Sequence, residues 1–226
     1  MMNGREEMTI RINPNTCRVF VEQKNGQGIT SRKEIEPAAL YEAVRLNAFS
    51  DEMQYSGVLP PGCFSIGAGV NGSWELCIVH DRLRADISLY DTQYPNFPLP
   101  RLVFGVTLSH TGKAARCRLG VVKDEVLRPE TPMYHYPFSN VNGFHLCTGQ
   151  NSLPVYKSLY KLRSFPDYIL RMPNNMDYFR RDCNKLKLEY RELLELLKDK
   201  EPAYYYDHIL IPNGKTVADF VKGEDQ

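Results

Sequence analysis

Leu102-Val-Phe-Gly-Val-Thr-Leu108 and Ala115-Arg-Cys-Arg-Leu-Gly-Val-Val122 are two short runs of mostly apolar and β-branched residues, with Thr111-Gly112 between them. Strands joined by so short a connection usually pair. Two similar runs precede them, Trp74 to His80 and Leu83 to Leu89, and Gly72, Asp81 and the segment Pro95 to Pro100 supply the breaks. A meander of about four antiparallel strands is the simplest topology for this stretch. Upstream, Glu36-Pro37-Ala38 opens a run with Leu40, Val44 and Ala48 on one helical face, and Pro37 suits a first turn. Earlier still, Met8 to Glu22 alternates apolar and polar residues about Asn13-Pro14-Asn15, which predicts a hairpin. Downstream, a short helix is expected around Val155 to Leu162. A long amphipathic one is expected from Asp177 to Lys198, with Phe179, Cys183, Leu186, Tyr190, Leu193 and Leu197 on its stripe and Asn174 or Asn175 as its cap. The tail carries Ile209-Leu210-Ile211, a turn at Pro212-Asn213-Gly214 and a weak helical end. Together these elements predict an α+β protein.

The 226 residues divide on this reading into an N-terminal β-hairpin extension, 1–30, and one domain with a C-terminal helical extension, 31–226. Lys and Arg number 28 against 27 Asp and Glu, a net charge of +1. That balance offers no general attraction to nucleic acid or to an anionic membrane surface. Apolar runs such as Leu76 to Val79 fall far short of the roughly 20 residues that span a bilayer. Residues 1–8 are polar and include Glu6 and Glu7, unlike a secretory signal. A cytoplasmic protein is expected. The cysteines at 17, 63, 77, 117, 147 and 183 show no C-x-x-C and no paired Cys/His spacing, so a zinc site is not expected. In a reducing compartment most of these thiols serve as buried filler.

One cysteine differs in its company. Arg128-Pro-Glu-Thr-Pro-Met-Tyr-His-Tyr-Pro-Phe-Ser-Asn-Val-Asn-Gly-Phe-His-Leu-Cys147-Thr-Gly149 follows neither the helical nor the strand period. Long irregular segments inside compact domains are uncommon and tend to be functional. Cys77 and Cys117 lie on strand patterns, where burial is the default, whereas Cys147 sits among turn residues and polar groups. Thiolate is the reactive form, so a nearby imidazole or amide donor matters. If 144 to 147 is extended, His145 and Cys147 share one side while Phe144 and Leu146 face the core.

This segment resembles the ubiquitin-conjugating enzyme superfamily, most closely its bacterial branch, the prokaryotic ubiquitin-conjugating family D that includes the protein B of PRTRC plasmid systems. The resemblance rests on Arg128-Pro129, Thr131-Pro132-Met133-Tyr134-His135, Pro137-Phe138-Ser139-Asn140-Val141, Asn142-Gly143 and Cys147-Thr148-Gly149, with Pro100-Arg101-Leu102-Val103-Phe104 upstream. It covers roughly residues 98 to 180. In eukaryotic members the loop reads His-Pro-Asn some eight positions before the cysteine; here Asn140 lies seven before Cys147, with Phe138-Ser139 in place of His-Pro. The resemblance implies a ubiquitin-conjugating (UBC-like) fold: an N-terminal helix, an antiparallel meander, an active-site loop and C-terminal helices, here with an added N-terminal hairpin. It also implies a mechanism in which Cys147 takes a ubiquitin-like protein as a thioester from a ThiF-like activating enzyme and passes it to an acceptor. Asn140 is then the oxyanion donor, and His145, His135 and Tyr134 are candidates for proton management. A JAB-type deconjugating protease often accompanies such systems, whose setting is antiphage defence or plasmid maintenance.

Plainer readings accompany each assignment. Asn142 before Gly143 is accounted for by turn chemistry, and His135 among Tyr134, Tyr136 and Phe138 suits a packed ring. Tyr204-Tyr205-Tyr206 suits a partly buried connection, and Arg180-Arg181 with Lys185 and Lys187 a solvated helix flank. Two other functions stay open: a non-catalytic module that keeps the conjugating fold, and a cysteine hydrolase, which needs an imidazole within reach of Cys147.

Overall fold

Asn13-Pro14-Asn15 turns the chain as its sequence predicts. In the computed structural model, which describes residues 7–25, 27–48, 55–69 and 71–223, the Asn13 side chain accepts the N–H of Asn15 at 2.9 Å and of Thr16 at 3.3 Å. The strands on either side, β1 (Glu7–Ile12) and β2 (Val19–Lys24), pair in register Ile10↔Val21. A third strand, β3 (Thr30–Ile35), completes an antiparallel sheet, and α1 (Pro37–Ala48) follows after a single residue. β3 is nearly all polar, which hid it from a reading based on apolar alternation. These elements belong to one compact unit, Met1–Tyr55, and the rest of the chain to another, Ser56–Gln226. The expected division after residue 30 therefore moves. With only Glu36 between β3 and α1, the helix goes with the N-terminal strands.

The second unit is built on a sheet of β4 (Cys63–Ala68), β5 (Trp74–His80), β8 (Arg101–Leu108) and β9 (Ala114–Val122), adjacent in that order and antiparallel. The meander is present, but its membership differs from expectation. Residues 84–89 form β6 and pair with β7 (Thr92–Pro98) as a separate hairpin inserted between β5 and β8. Leu99 N–H closes that insertion on Leu83 C=O at 2.7 Å. Pro95 and Pro98 lie inside β7 rather than marking a break, which a two-stranded ribbon tolerates because one side of each strand needs no donor.

Three short strands follow: β10 (Pro132–Tyr134), β11 (Val141–Asn142) and β12 (His145–Leu146). β12 and β10 share the outer edge of β9, pairing at Arg118 and at Val121 and Val122, and β11 pairs with β12. A 3-10 turn, Leu159–Ser164, leads into α2 (Phe165–Leu170), a few residues beyond the expected short helix. The expected long helix is present only in its last third, as α3 (Tyr190–Leu197). Tyr178 and Lys187 adopt left-handed backbone, and the wholly buried Asn184 spends its side chain on both backbone groups of Leu188 at 3.0 and 3.2 Å. Such local bonds compete with helix. The cap is accordingly Glu189, in a reciprocal box with Glu192, and not Asn174 or Asn175. The chain then makes a π-helical turn, Tyr205–Ile209, pairs β13 (Pro212–Thr216) with β10, and ends in α4 (Val217–Lys222).

Alternation along the strands sends side chains to two cores. Leu76, Ile78, Phe104, Val106, Leu119 and Val121 pack with α2, α3 and the β6–β7 hairpin. Cys77, Val103 and Val122 face the other way and are covered by Met133, Phe144 and the α4 residues Val217 and Phe220. No described helix is long and apolar enough to cross a membrane. The protein is an α+β protein.

Candidate functional site

Residues 140–147 fold as a miniature hairpin. Val141 pairs with Leu146 and Asn142 with His145, and Gly143 takes positive φ (60°) at the turn. Glycine adopts that conformation without strain; the two turn residues are Gly143 and Phe144, and Asn142, expected in the turn, is instead the last residue of β11. The hairpin is held against β9 by the His145↔Arg118 pairing and by Leu119 N–H donating to Phe144 C=O at 2.9 Å. At its open end Cys147 N–H donates to Asn140 C=O at 2.8 Å. The two residues singled out as nucleophile and oxyanion donor therefore stand on opposed chains.

Side chains leave this hairpin in the expected alternation, with one difference. His145 is exposed and Cys147 half-exposed, while Phe144 and Leu146 are buried. The buried pair enters opposite cores: Leu146 joins the main one, and Phe144, in the turn itself, packs edge-on to Phe220 at 5.0 Å on the far face of the sheet.

Asn140 has left-handed backbone, φ 64°, and its N–H donates to Asp177 C=O at 2.7 Å. Its side-chain amide donates to Asn174 Oδ1 at 3.5 Å, the outer limit of such a bond. Asn174 is the residue that sequence reasoning missed. Its N–H and side-chain amide both donate to Ser88 C=O, at 3.0 and 3.1 Å, and its C=O accepts Tyr90 N–H at 2.9 Å. The β6–β7 hairpin thus fixes Asn174, and Asn174 orients Asn140. Ser139 reaches the same Asn174 oxygen at 3.5 Å and the Tyr190 hydroxyl at 3.3 Å. These groups border a cavity of about 20 Å³, enough for one water with several polar partners.

The thiol of Cys147 has no hydrogen-bond partner among the described residues. His135 stands apart from the hairpin in its contacts: its N–H donates to Ile211 C=O at 2.9 Å. Burial, reinforced by the Arg180 charge and opposed by Asp182, pushes its imidazole pKa down. The residue is half-buried. The other thiols separate by environment. Burial pushes Cys117 up to about 12 and Cys77 up to about 11, the latter despite Arg118 beside it. Cys63 is also raised by burial, and Cys183 is buried, whereas Cys17 in the N-terminal unit is exposed. Among the described residues no group of three or more His, Cys, Asp and Glu is placed to hold a metal ion.

Chemically, the arrangement offers a reachable soft nucleophile, an amide donor on the facing strand held by one long bond, and no base in contact with the thiol. In comparisons with family models, curated proteins and solved structures the chain matches none. Its class is therefore defined by fold and site alone: an α+β protein that presents one cysteine on a hairpin at the edge of an antiparallel sheet.

Proposed function

We propose that the protein carries a ubiquitin-like protein as a thioester on Cys147, and that the meander, cysteine hairpin and C-terminal helices of its second unit are a ubiquitin-conjugating fold. The observation that carries this reading is the hairpin itself, which sets a half-exposed Cys147 opposite Asn140 through a 2.8 Å backbone bond. The Cys147 thiolate attacks the carbonyl of the thioester on a ThiF-like activating enzyme, a new C–S bond forms, and the enzyme's thiolate leaves. An acceptor amine then attacks the Cys147 thioester, giving a tetrahedral oxyanion that collapses with the Cys147 thiolate as leaving group while the nitrogen gives up its proton to water. The Asn140 amide is the neutral donor for that oxyanion, released from Asn174 at little cost because their bond is long. In a bacterial cytoplasm a JAB-type protease would reverse the product.

Incubation with the activating enzyme, modifier and ATP, followed by non-reducing gels, tests the proposal. A thiol-sensitive adduct on wild type, lost in Cys147→Ala and thiol-resistant in Cys147→Ser, is expected. One observation favours a second reading, a non-catalytic module of the same fold: the Asn140 amide bonds to Asn174 and not to Cys147. No adduct from a demonstrably charged activating enzyme selects that reading. A cysteine hydrolase finds less support, since no imidazole among the described residues bonds to the Cys147 thiol.

A further inference from the structure

We propose that two copies of this chain associate through the free edge of the N-terminal sheet, β1 pairing antiparallel with β1 about a two-fold axis at Ile10. β1 is bonded to β2 on one side, and no described strand pairs with its other side. The bond from Asn13 N–H to Arg18 C=O, 2.9 Å, makes those residues a hydrogen-bonded pair. Alternation along the ladder then makes Arg11↔Phe20 and Thr9↔Glu22 bonded pairs, and turns the N–H and C=O of Met8, Ile10 and Ile12 away from β2.

The same three residues share one face of the sheet and are 62%, 43% and 60% exposed. Val21 and Val19 stand opposite Ile10 and Ile12 on that face. A second β1 laid with Ile10 against the partner's Ile10 sets outward groups against outward groups, and Met8 meets the partner's Ile12 in both directions. Thr9 faces the partner's Arg11, so no like charges stand directly opposite.

The other edge of the sheet is guarded in a way that β1 is not. In β3, Lys33 stands opposite Val21 on the apolar face, Arg32 and Glu34 flank it, and the chain leaves at once into α1. An inward charge is one of the usual protections of an edge. β1 has neither a charge on its apolar face nor a proline. The occupant specified by this register is another β1, which every copy of the chain supplies. A single strand pair is small beside a standard interface, so the dimer is weak and concentration-dependent.

Sedimentation velocity of the full chain, in reductant and from micromolar to several hundred micromolar, is expected to show reversible monomer and dimer. Ile10→Pro removes only an outward N–H and leaves every β1–β2 bond in place, so it is expected to abolish the dimer with an unchanged circular dichroism spectrum. Should Ile10→Pro unfold the hairpin, Ile10→Lys decides, because it keeps the backbone and sets like charges together at the axis. A wild-type monomer at every concentration overturns the proposal. So does a dimer that survives either variant in folded form.

Discussion

Gly105 marks a place where a single methyl group tests how the sheet is locked. It lies between Cys77 on β5 and Arg118 on β9 in one cross-strand row. The Arg118 side chain runs over it to reach Glu75, Cys77 Sγ at 3.8 Å and the Val221 C=O of α4 at 3.4 Å, with Phe220 beneath the guanidinium. A Cβ at Gly105 would stand 2.7 Å from Arg118 Nε and 3.2 Å from its Cβ. The arginine must lift, straining its part-buried contacts to Glu75, Cys77 and Val221 and its packing on the buried Phe220. Overpacking of this kind costs about 2–3 kcal/mol, offset by about 0.5–1 kcal/mol from replacing glycine in a strand. The net loss for Gly105→Ala is therefore about 1–2.5 kcal/mol, or roughly 2–10 °C in Tm for a unit of this size. Thermal and urea unfolding of Gly105→Ala, Arg118→Ala and the double variant check it. Because the cost arises from one contact, Gly105→Ala should stop destabilising in the Arg118→Ala background and gain up to about 1 kcal/mol from the glycine replacement. Costs that simply add within about 0.5 kcal/mol refute the reasoning.

Other consequences are open to direct measurement. Alkylation at pH 8 with peptide mapping should label Cys17 and Cys147 while sparing Cys77 and Cys117, whose pKa values of about 11 and 12 leave almost no thiolate; early modification of Cys117 would contradict its burial. Asn140→Ala should leave charging of Cys147 intact and slow discharge to an amine about 100–1000-fold, read in single-turnover chase; unchanged discharge removes Asn140 from the mechanism. His80 is buried and its pKa is lowered, chiefly by desolvation, against the pull of Asp167. Its stabilising neutral form is fully present above the unfolded pKa of about 6.5. Below that value the unfolded chain takes up the proton first and stability falls. His80→Gln should flatten this slope in urea titrations, leaving the share contributed by His135, which is shifted the same way. Asp219 accepts both the N–H and the hydroxyl of Thr216 at the start of α4, so Asp219→Ala should loosen that helix end and speed amide exchange there first.

Much of this architecture is legible from local chemistry. Asn13-Pro14-Asn15 names its own turn, Asn142-Gly143 marks a turn that falls one residue later, at Gly143-Phe144, and the apolar runs at 74–80, 102–108 and 115–122 become β5, β8 and β9. Elements whose side chains carry no periodic signal escape such a reading. β4, Cys-Phe-Ser-Ile-Gly-Ala, mixes small and polar residues, and β7 is interrupted by two prolines. From 177 to 189 the periodic signal is present but misleads. Phe179 stacks on Tyr190 at 4.7 Å and Cys183 is buried, so the apolar positions do serve the core, yet the bonds of Asn184 divert the backbone from helix. At the site, the hairpin brings Asn140 to Cys147 within eight residues, a local arrangement. Asn174 reaches Asn140 only because it bridges in parallel to Leu89, a contact across 85 residues that no sequence spacing announces.

The measurement closest to the central claim is the location of the trapped adduct. The Cys147→Ser variant, charged by the activating enzyme and modifier, would be digested and sequenced by tandem mass spectrometry. A modifier remnant esterified at position 147 is the result this account predicts. A remnant on Cys17, the exposed thiol of the N-terminal unit, or on no residue of the chain, would contradict it.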